Sequence, residues 1–225
     1  MSDRRKKEFN KKYIWGSHDA GGKWNKATRE NAIKLESLKE TDSKRLEFID
    51  FIYLNLVGQL NVDTIIEIGS GSGLLGKLLS NDSRFNEIKY IGADICLSSV
   101  EQAKEAFPNL NFIHLPWEKV IHITDQNNFI LVASGTLECF TNTEIKSFLA
   151  KAQKNNFCKG IALFEPINMS LDDQNIESLP RGGFAYSHNY HLLLNQAKYQ
   201  QIKIMISQSS AHPTTKDLKC TAKCN

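Results

Sequence analysis

"IIEIGSGSGLLGKLL", residues 65–79, decides how this chain is read. Its glycines, Gly69, Gly71, Gly73 and Gly76, fit two nucleotide-binding spacings. Gly71, Gly73 and Gly76 spell the dinucleotide pattern G-x-G-x-x-G. Glu67 with Gly69, Gly71 and Gly73 spells E-x-G-x-G-x-G. The preceding strand fixes the register. "TIIEI" (64–68) is a β-branched run that ends at a glycine, and in an open α/β sheet a ligand sits beyond the carboxyl ends of the strands. The first glycine that matters is therefore Gly69. Counted from Gly69, the dinucleotide pattern needs a third small residue at position 74, which is Leu74. Counted from Gly71, it inserts Gly69 and Ser70 into the tight turn that the pattern exists to make. Glycines at 69, 71 and 73 have neither defect, and they let backbone pass close under a ligand with no side chain in the way. Gly76 then falls inside the next helix, where it allows close helix–sheet packing.

Working outward, strands and helices alternate. Upstream, "TDSKRLEFIDFIYLNLVGQL" (41–60) repeats Leu46, Ile49, Ile52, Tyr53, Leu56 and Val57 at helical spacing, with N-cap chemistry at Thr41 to Ser43. Downstream come a helix over 74–80, a strand over 88–94, and a helix over 98–107 with Ser98 and Glu101 in capping-box spacing. Strands follow at 110–114 and 129–133. A helix over 141–157 has a second capping box in Thr141 and Glu144, and a buried stripe of Ile145, Phe148, Leu149 and Ala152. A strand at 161–165, a helix at 187–199 and strands near 202–207 and 218–222 complete the pattern, the last two as an antiparallel pair. Such alternation implies an α/β fold: a mostly parallel sheet with helices on both faces.

Asp94 ends the second strand in "YIGADIC". A carboxylate there can accept two hydrogen bonds from a ribose diol, or it can cap the following helix. The first role points to an adenosine-containing ligand without choosing between cofactors.

Composition sets the frame. The chain has 225 residues, 41% hydrophobic and 24% charged, enough for one domain with an extension. Its net charge is +3, and the basic run "RRKKEFNKK" (4–12) holds much of the excess. Without a basic stripe on the folded part, nucleic acid is an unlikely partner. No apolar run is long enough to span a membrane, and no apolar segment follows the basic start as a signal peptide requires. The five cysteines are scattered, as expected of reduced thiols in a cytoplasmic protein. No cluster with ligand spacing points to a metal.

"IIEIGSGSG", "YIGADICLSSVEQAKEAFP" and "FILVASGTLECF" resemble the first, second and fourth strand motifs of class I S-adenosylmethionine-dependent methyltransferases, over roughly residues 60–165. The resemblance implies a seven-stranded Rossmann-like sheet carrying S-adenosylmethionine across the first two strands, with S-adenosylhomocysteine as product. It implies cofactor contacts from Glu67, Gly69, Ser70, Gly71, Gly73 and Asp94, with Ile95 flanking the adenine. One departure matters. After the third strand, where such enzymes often place an aspartate and a small residue, this chain reads "IHLPWEKV". Trp117 either covers the adenine or packs into the fold, and Glu118 either replaces the acid or faces solvent.

On the acceptor side, no Asn/Asp-Pro-Pro-aromatic motif follows the fourth strand, which argues against attack on the exocyclic amine of a nucleic-acid adenine. Cys139 lacks the preceding proline of a cytosine-methylating nucleophile. Candidate bases are Glu165, His188 and His18, for which the alternatives are a loop-organising carboxylate, a helix N-terminal polar group and a residue of a glycine-rich loop. The segment 13–24 around His18 reads as a lid or as a loop docked by Trp15 and Trp24. Residues 1–60 are expected to form a tail and helical cap, and residues 61–225 the methyltransferase domain. The expected activity is methyl transfer to oxygen or nitrogen of a small molecule. The alternatives are a protein or RNA acceptor, a non-catalytic adenosyl-binding protein, and an NAD-linked oxidoreductase, the last disfavoured by Leu74.

Overall fold

The alternation resolves into one sheet. The computed structural model describes residues 39–123, 127–168, 174, 177–182, 185–209 and 215–224, without the side chains of 39–42, 181 and 182. Strands β1 (Thr64–Ile68), β2 (Lys89–Asp94), β3 (Asn111–His114), β4 (Phe129–Ser134) and β5 (Cys158–Asn168) run parallel. A short hairpin, β6 (Leu179–Gly182) and β7 (Ala185–Ser187), stands apart. Strands β8 (Gln200–Gln208) and β9 (Thr215–Lys223) complete a seven-stranded sheet in the order β3-β2-β1-β4-β5-β9-β8. β9 pairs antiparallel with both β5 and β8, so it alone runs against the rest. The all-parallel dinucleotide fold has the order 3-2-1-4-5-6. The reversed strand inserted beside β5 is a departure from it.

Helices cover both faces: α1 (Lys39–Ile52), α2 (Leu74–Ser80), α3 (Leu97–Ala106), the single turn α4 (Trp117–Val120), α5 (Asn142–Gln153) and α6 (Tyr190–Gln196). All five residues of β1 are buried because its two faces are both covered. Ile66, Ile68, Leu131, Leu163 and their neighbours pack with Phe148 and Leu149 of α5 and Leu193 and Leu194 of α6. Ile65, Ile130, Val132 and Ala162 pack with Phe48, Ile49 and Ile52 of α1 and Leu75 and Leu79 of α2. Each such side chain contributes about 1.5–3 kcal/mol by leaving water. The described part of the expected N-terminal cap, α1, is thus a layer of the main core. Residues 1–38, including His18 and the segment 13–24, lie outside the described residues.

Several local expectations hold. α5 starts with the anticipated box: the Glu144 amide donates to Thr141 Oγ1 at 3.2 Å, and the Thr141 amide to Glu144 Oε2 at 2.8 Å. Gly76 lies in α2 against β2, where a Cβ would stand 2.5 Å from the Tyr90 ring. Other local expectations are corrected. α1 begins at Lys39, so Thr41 to Ser43 lie within it, and at Ile52 it passes into a π-helical turn, Tyr53–Val57. Ser98 and Glu101 form no capping box. Cys96 is the N-cap of α3, because Asp94 takes the Cys96 amide and turns the chain into the helix earlier. β5 continues beyond Glu165 to Asn168, paired with β9 throughout.

Candidate functional site

The sheet order reverses between β1 and β4, and a crevice forms beyond strand ends at such a point. Ile68 of β1 is level with Ala93 of β2 and Ala133 of β4, which brings three strand exits together there. Gly69, Gly71 and Gly73 all have left-handed φ, at 69°, 51° and 83°. Such angles strain any other residue type. The loop folds back on β2: the Gly69 and Ser70 amides both donate to the Ala93 carbonyl, at 2.7 and 3.1 Å. Gly69 is also a close approach, since a Cβ there would stand 2.3 Å from Thr136 Oγ1. Ser70 Oγ is buried with no hydrogen-bond partner among the described residues.

Two carboxylates flank the loop. Asp94 Oδ2 accepts the Gly71 amide at 2.9 Å, and Oδ1 accepts the Cys96 amide at 2.8 Å. Burial raises the Asp94 pKa, while these amides, His114 and the Ile95 amide pull it back. A carboxylate has about four acceptor positions, so it keeps capacity for a ligand hydroxyl. Of the two earlier readings of Asp94, the structure shows the capping one: it takes the Cys96 amide at the start of α3, and it also ties down the Gly71 amide of the loop. Glu67 lies in the core of β1 and accepts from the Tyr90 hydroxyl. Desolvation pushes its carboxyl up to about 8, Asp94 adds to the rise, and the Arg45 charge on α1 opposes it. Arg45 is a functional candidate that sequence reading missed. The helical period of 41–60 marks a helix, but only the packing of α1 over the sheet brings the Arg45 charge near enough to act on Glu67. Ile95 is half-buried, and its carbonyl accepts from His114 Nε2 at 2.9 Å.

On the β4 side of the crevice, the loop-organising reading of Glu165 is the one whose contacts the structure shows. After β4 the chain turns at Gly135, whose φ is 64°, into a 3-10 turn, Leu137–Cys139. Glu165 is fully buried and accepts three amides: Thr136 and Leu137 at 3.0 Å on Oε1, and Glu138 at 3.1 Å on Oε2. Desolvation, with the Glu138 charge, pushes its carboxyl up to about 8 against those amides. This is the loop-organising arrangement, with the carboxyl wholly buried beneath the turn. His188 is equally buried. Its Nε2 lies 2.9 Å from the Leu137 carbonyl and must donate to it, while Nδ1 lies 2.6 Å from Ser178 Oγ. With both nitrogens engaged, the imidazole is not placed to take a proton from a substrate. Trp117 belongs to an aromatic cluster, 5.5 Å from Phe140 and 5.7 Å edge-on to Phe148, with Lys151 Nζ 5.3 Å over its ring. Of the two readings of Trp117, the contacts shown are those of packing into the fold.

The structure thus brings Glu67, Gly69, Ser70, Gly71, Gly73, Asp94 and Ile95 together at the ends of β1 and β2. It sets Glu165 and His188 behind the β4 turn. Among the described residues, no three His, Cys, Asp or Glu side chains group as metal ligands, and no helix is long and apolar enough to cross a membrane.

The sequence matches no protein-family model and no curated protein, and its likenesses are to solved structures. A SAM-dependent methyltransferase from Archaeoglobus fulgidus superposes with a TM-score of 0.58 at 14% identity, over 81% of this chain and 93% of that one. A cyclopropane synthase from Mycobacterium tuberculosis gives 0.57 at 12% identity, over 78% and 83%. Magnesium protoporphyrin IX methyltransferase from Synechocystis PCC 6803, with bound SAM, gives 0.55 at 14% identity, over 86% and 82%. Some matched chains are longer: this chain spans 48% of human N-acetylserotonin methyltransferase. The fold is that of class I S-adenosylmethionine-dependent methyltransferases.

Proposed function

We propose that the chain is an S-adenosylmethionine-dependent methyltransferase that transfers a methyl group to oxygen or nitrogen of a small molecule. The observation that carries this reading is the loop of Gly69, Gly71 and Gly73, tied by its Gly71 amide to Asp94 at the topological switch point. The same position is where a class I fold would hold its cofactor. The residues fit such a ligand. The glycines supply the left-handed turn by which the loop folds back on β2, Ser70 Oγ is buried there with no partner among the described residues, and Asp94 keeps acceptor capacity for a ribose hydroxyl. In this reading Ile95 would flank the adenine, and Glu67, whose buried carboxyl the Arg45 charge helps to ionise, would lie toward the amino-acid end.

The bound cofactor would supply an electrophilic sulfonium methyl. An acceptor lone pair would take that methyl carbon as the carbon–sulfur electrons stayed with sulfur, and the acceptor's proton would leave to solvent or a base. The chain's own work is to align the acceptor in line and to exclude water. With Glu165 and His188 committed to backbone groups, this reading assigns catalysis to positioning. The named histidine that stays open as a base is His18.

Calorimetry with S-adenosylmethionine, S-adenosylhomocysteine and NAD tests the reading. Binding of both adenosyl ligands is the expected result, and binding of NAD alone would sink it. A small-molecule screen for methyl acceptors then follows, with peptide and RNA arms to separate the alternative acceptors.

A further inference from the structure

We propose that Glu165 and His188 are positioning residues, which clamp the Leu137 backbone from its two sides and so set the β4 wall of the cofactor cleft. The inference rests on the reading above for what fills that cleft.

The geometry is continuous. Glu165 Oε1 accepts the Leu137 amide at 3.0 Å, and His188 Nε2 donates to the Leu137 carbonyl at 2.9 Å. Glu165 also gathers the amides of Thr136 and Glu138, which points the turn's N–H groups inward at one carboxylate. The ring of His188 is fixed from β7 and α6, with Tyr186 stacked 6.1 Å away and Tyr190 edge-on at 5.5 Å. Thr136 carries the clamp to the cofactor loop. Its Oγ1 is 3.3 Å from the Gly69 carbonyl, in the space that a Cβ on Gly69 would occupy. The preceding residue, Gly135, has open space where a Cβ would stand, so the clamp holds the turn at the edge of the crevice. Both clamping groups are fully buried, and a buried polar group without its partner is costly, so the turn has little freedom to leave them. Catalytic positioning is sensitive to displacements of this kind.

The test uses the full chain and S-adenosylhomocysteine as probe, read by calorimetry and by the amide resonances of Gly69 and Gly135. His188→Phe keeps a ring in the core but offers no donor to the Leu137 carbonyl. His188→Gln gives up the ring but keeps an N–H near the place of Nε2. Glu165→Gln sets an amide NH2 against one of the three donated N–H groups. Affinity is expected to fall about tenfold in His188→Phe and Glu165→Gln and to stay within about threefold in His188→Gln. The two glycine resonances should move in His188→Phe and Glu165→Gln only. Wild-type affinity in His188→Phe, or weaker binding by His188→Gln than by His188→Phe, would make His188 a core-packing residue and overturn the proposal. If the His188 variants fail to fold, Thr136→Ala on the accessible turn decides: weakened binding with a shifted Gly69 resonance supports the clamp, and neither change overturns it. If the wild type binds no adenosyl ligand, the methyl-transfer reading falls. The resonances then decide the clamp, which is overturned if Gly69 stays unmoved in His188→Phe.

Discussion

The Gly71 amide donates to Asp94 Oδ2 at 2.9 Å, which ties the loop after β1 to the end of β2. One carboxylate thereby shapes the loop, and in the proposed reading it would also receive the ribose. Asp94→Ala removes both roles and should weaken S-adenosylhomocysteine by about a hundredfold, as expected for losing charge-assisted hydrogen bonds. Asp94→Asn keeps one acceptor oxygen and should lie between. Calorimetry reads the series, and an unchanged affinity in Asp94→Ala would remove Asp94 from the cofactor site.

Two glycines with similar backbone angles should respond differently to one methyl group. Gly69 has a φ of 69° and Gly135 one of 64°. A Cβ on Gly69 would stand 2.3 Å from Thr136 Oγ1, whereas one on Gly135 would meet nothing within 4 Å. Gly135→Ala should cost about 1 kcal/mol, from left-handed strain alone. Gly69→Ala adds the collision and should cost about 2–4 kcal/mol. Urea unfolding of both variants measures the gap, and equal costs would mean that the β1 and β4 loops do not touch as described.

Buried carboxyls set a direction for the dependence of stability on pH. Burial pushes Glu67 from 4.5 up to about 8, and Glu165 likewise. Below pH 4.5 both folded and unfolded chains hold these protons. As pH rises toward 8 the unfolded chain releases them first, so these two groups make folding less favourable through that window and change nothing further above it. Glu67→Gln cannot titrate. The fall in urea midpoint between pH 5 and pH 8 should therefore be shallower in Glu67→Gln than in the wild type. Parallel pH profiles would show that Glu67 is already ionised in the folded chain.

What the sequence made legible follows from how local each signal is. The Thr141 and Glu144 box was readable because both partners sit within one helical turn. The glycine register was readable because it is counted from a strand end. Glu165 and His188 were found as polar residues at strand and helix ends, but their backbone partners in the β4 turn are 27–29 and 51 positions away, beyond any periodicity. The β6–β7 hairpin left no signal because its strands are too short to alternate. Ser98 and Glu101 had the spacing of a box, and the contact of Asp94 with the Cys96 amide overrode it. Trp117 was ambiguous from sequence because its aromatic partners, Phe140 and Phe148, come from 23 and 31 positions away, after the 3-10 turn and on α5.

Gly76 offers a last prediction, on how α2 meets the sheet. A Cβ at this position would stand 2.5 Å from Tyr90 ring carbons, and the Tyr90 hydroxyl is held by Glu67. Gly76→Ala improves helix propensity by about 1 kcal/mol, so a neutral site would be stabilised. Here the ring must move, and its hydrogen bond to a buried carboxyl opposes that movement. Gly76→Ala should therefore destabilise by about 1–3 kcal/mol. In a Tyr90→Phe background the ring is no longer pinned, and the same substitution should cost less. The double-mutant cycle isolates that coupling. Additive costs would mean that the Tyr90–Glu67 bond does not hold the ring under α2, and that helix–sheet spacing alone makes Gly76 necessary.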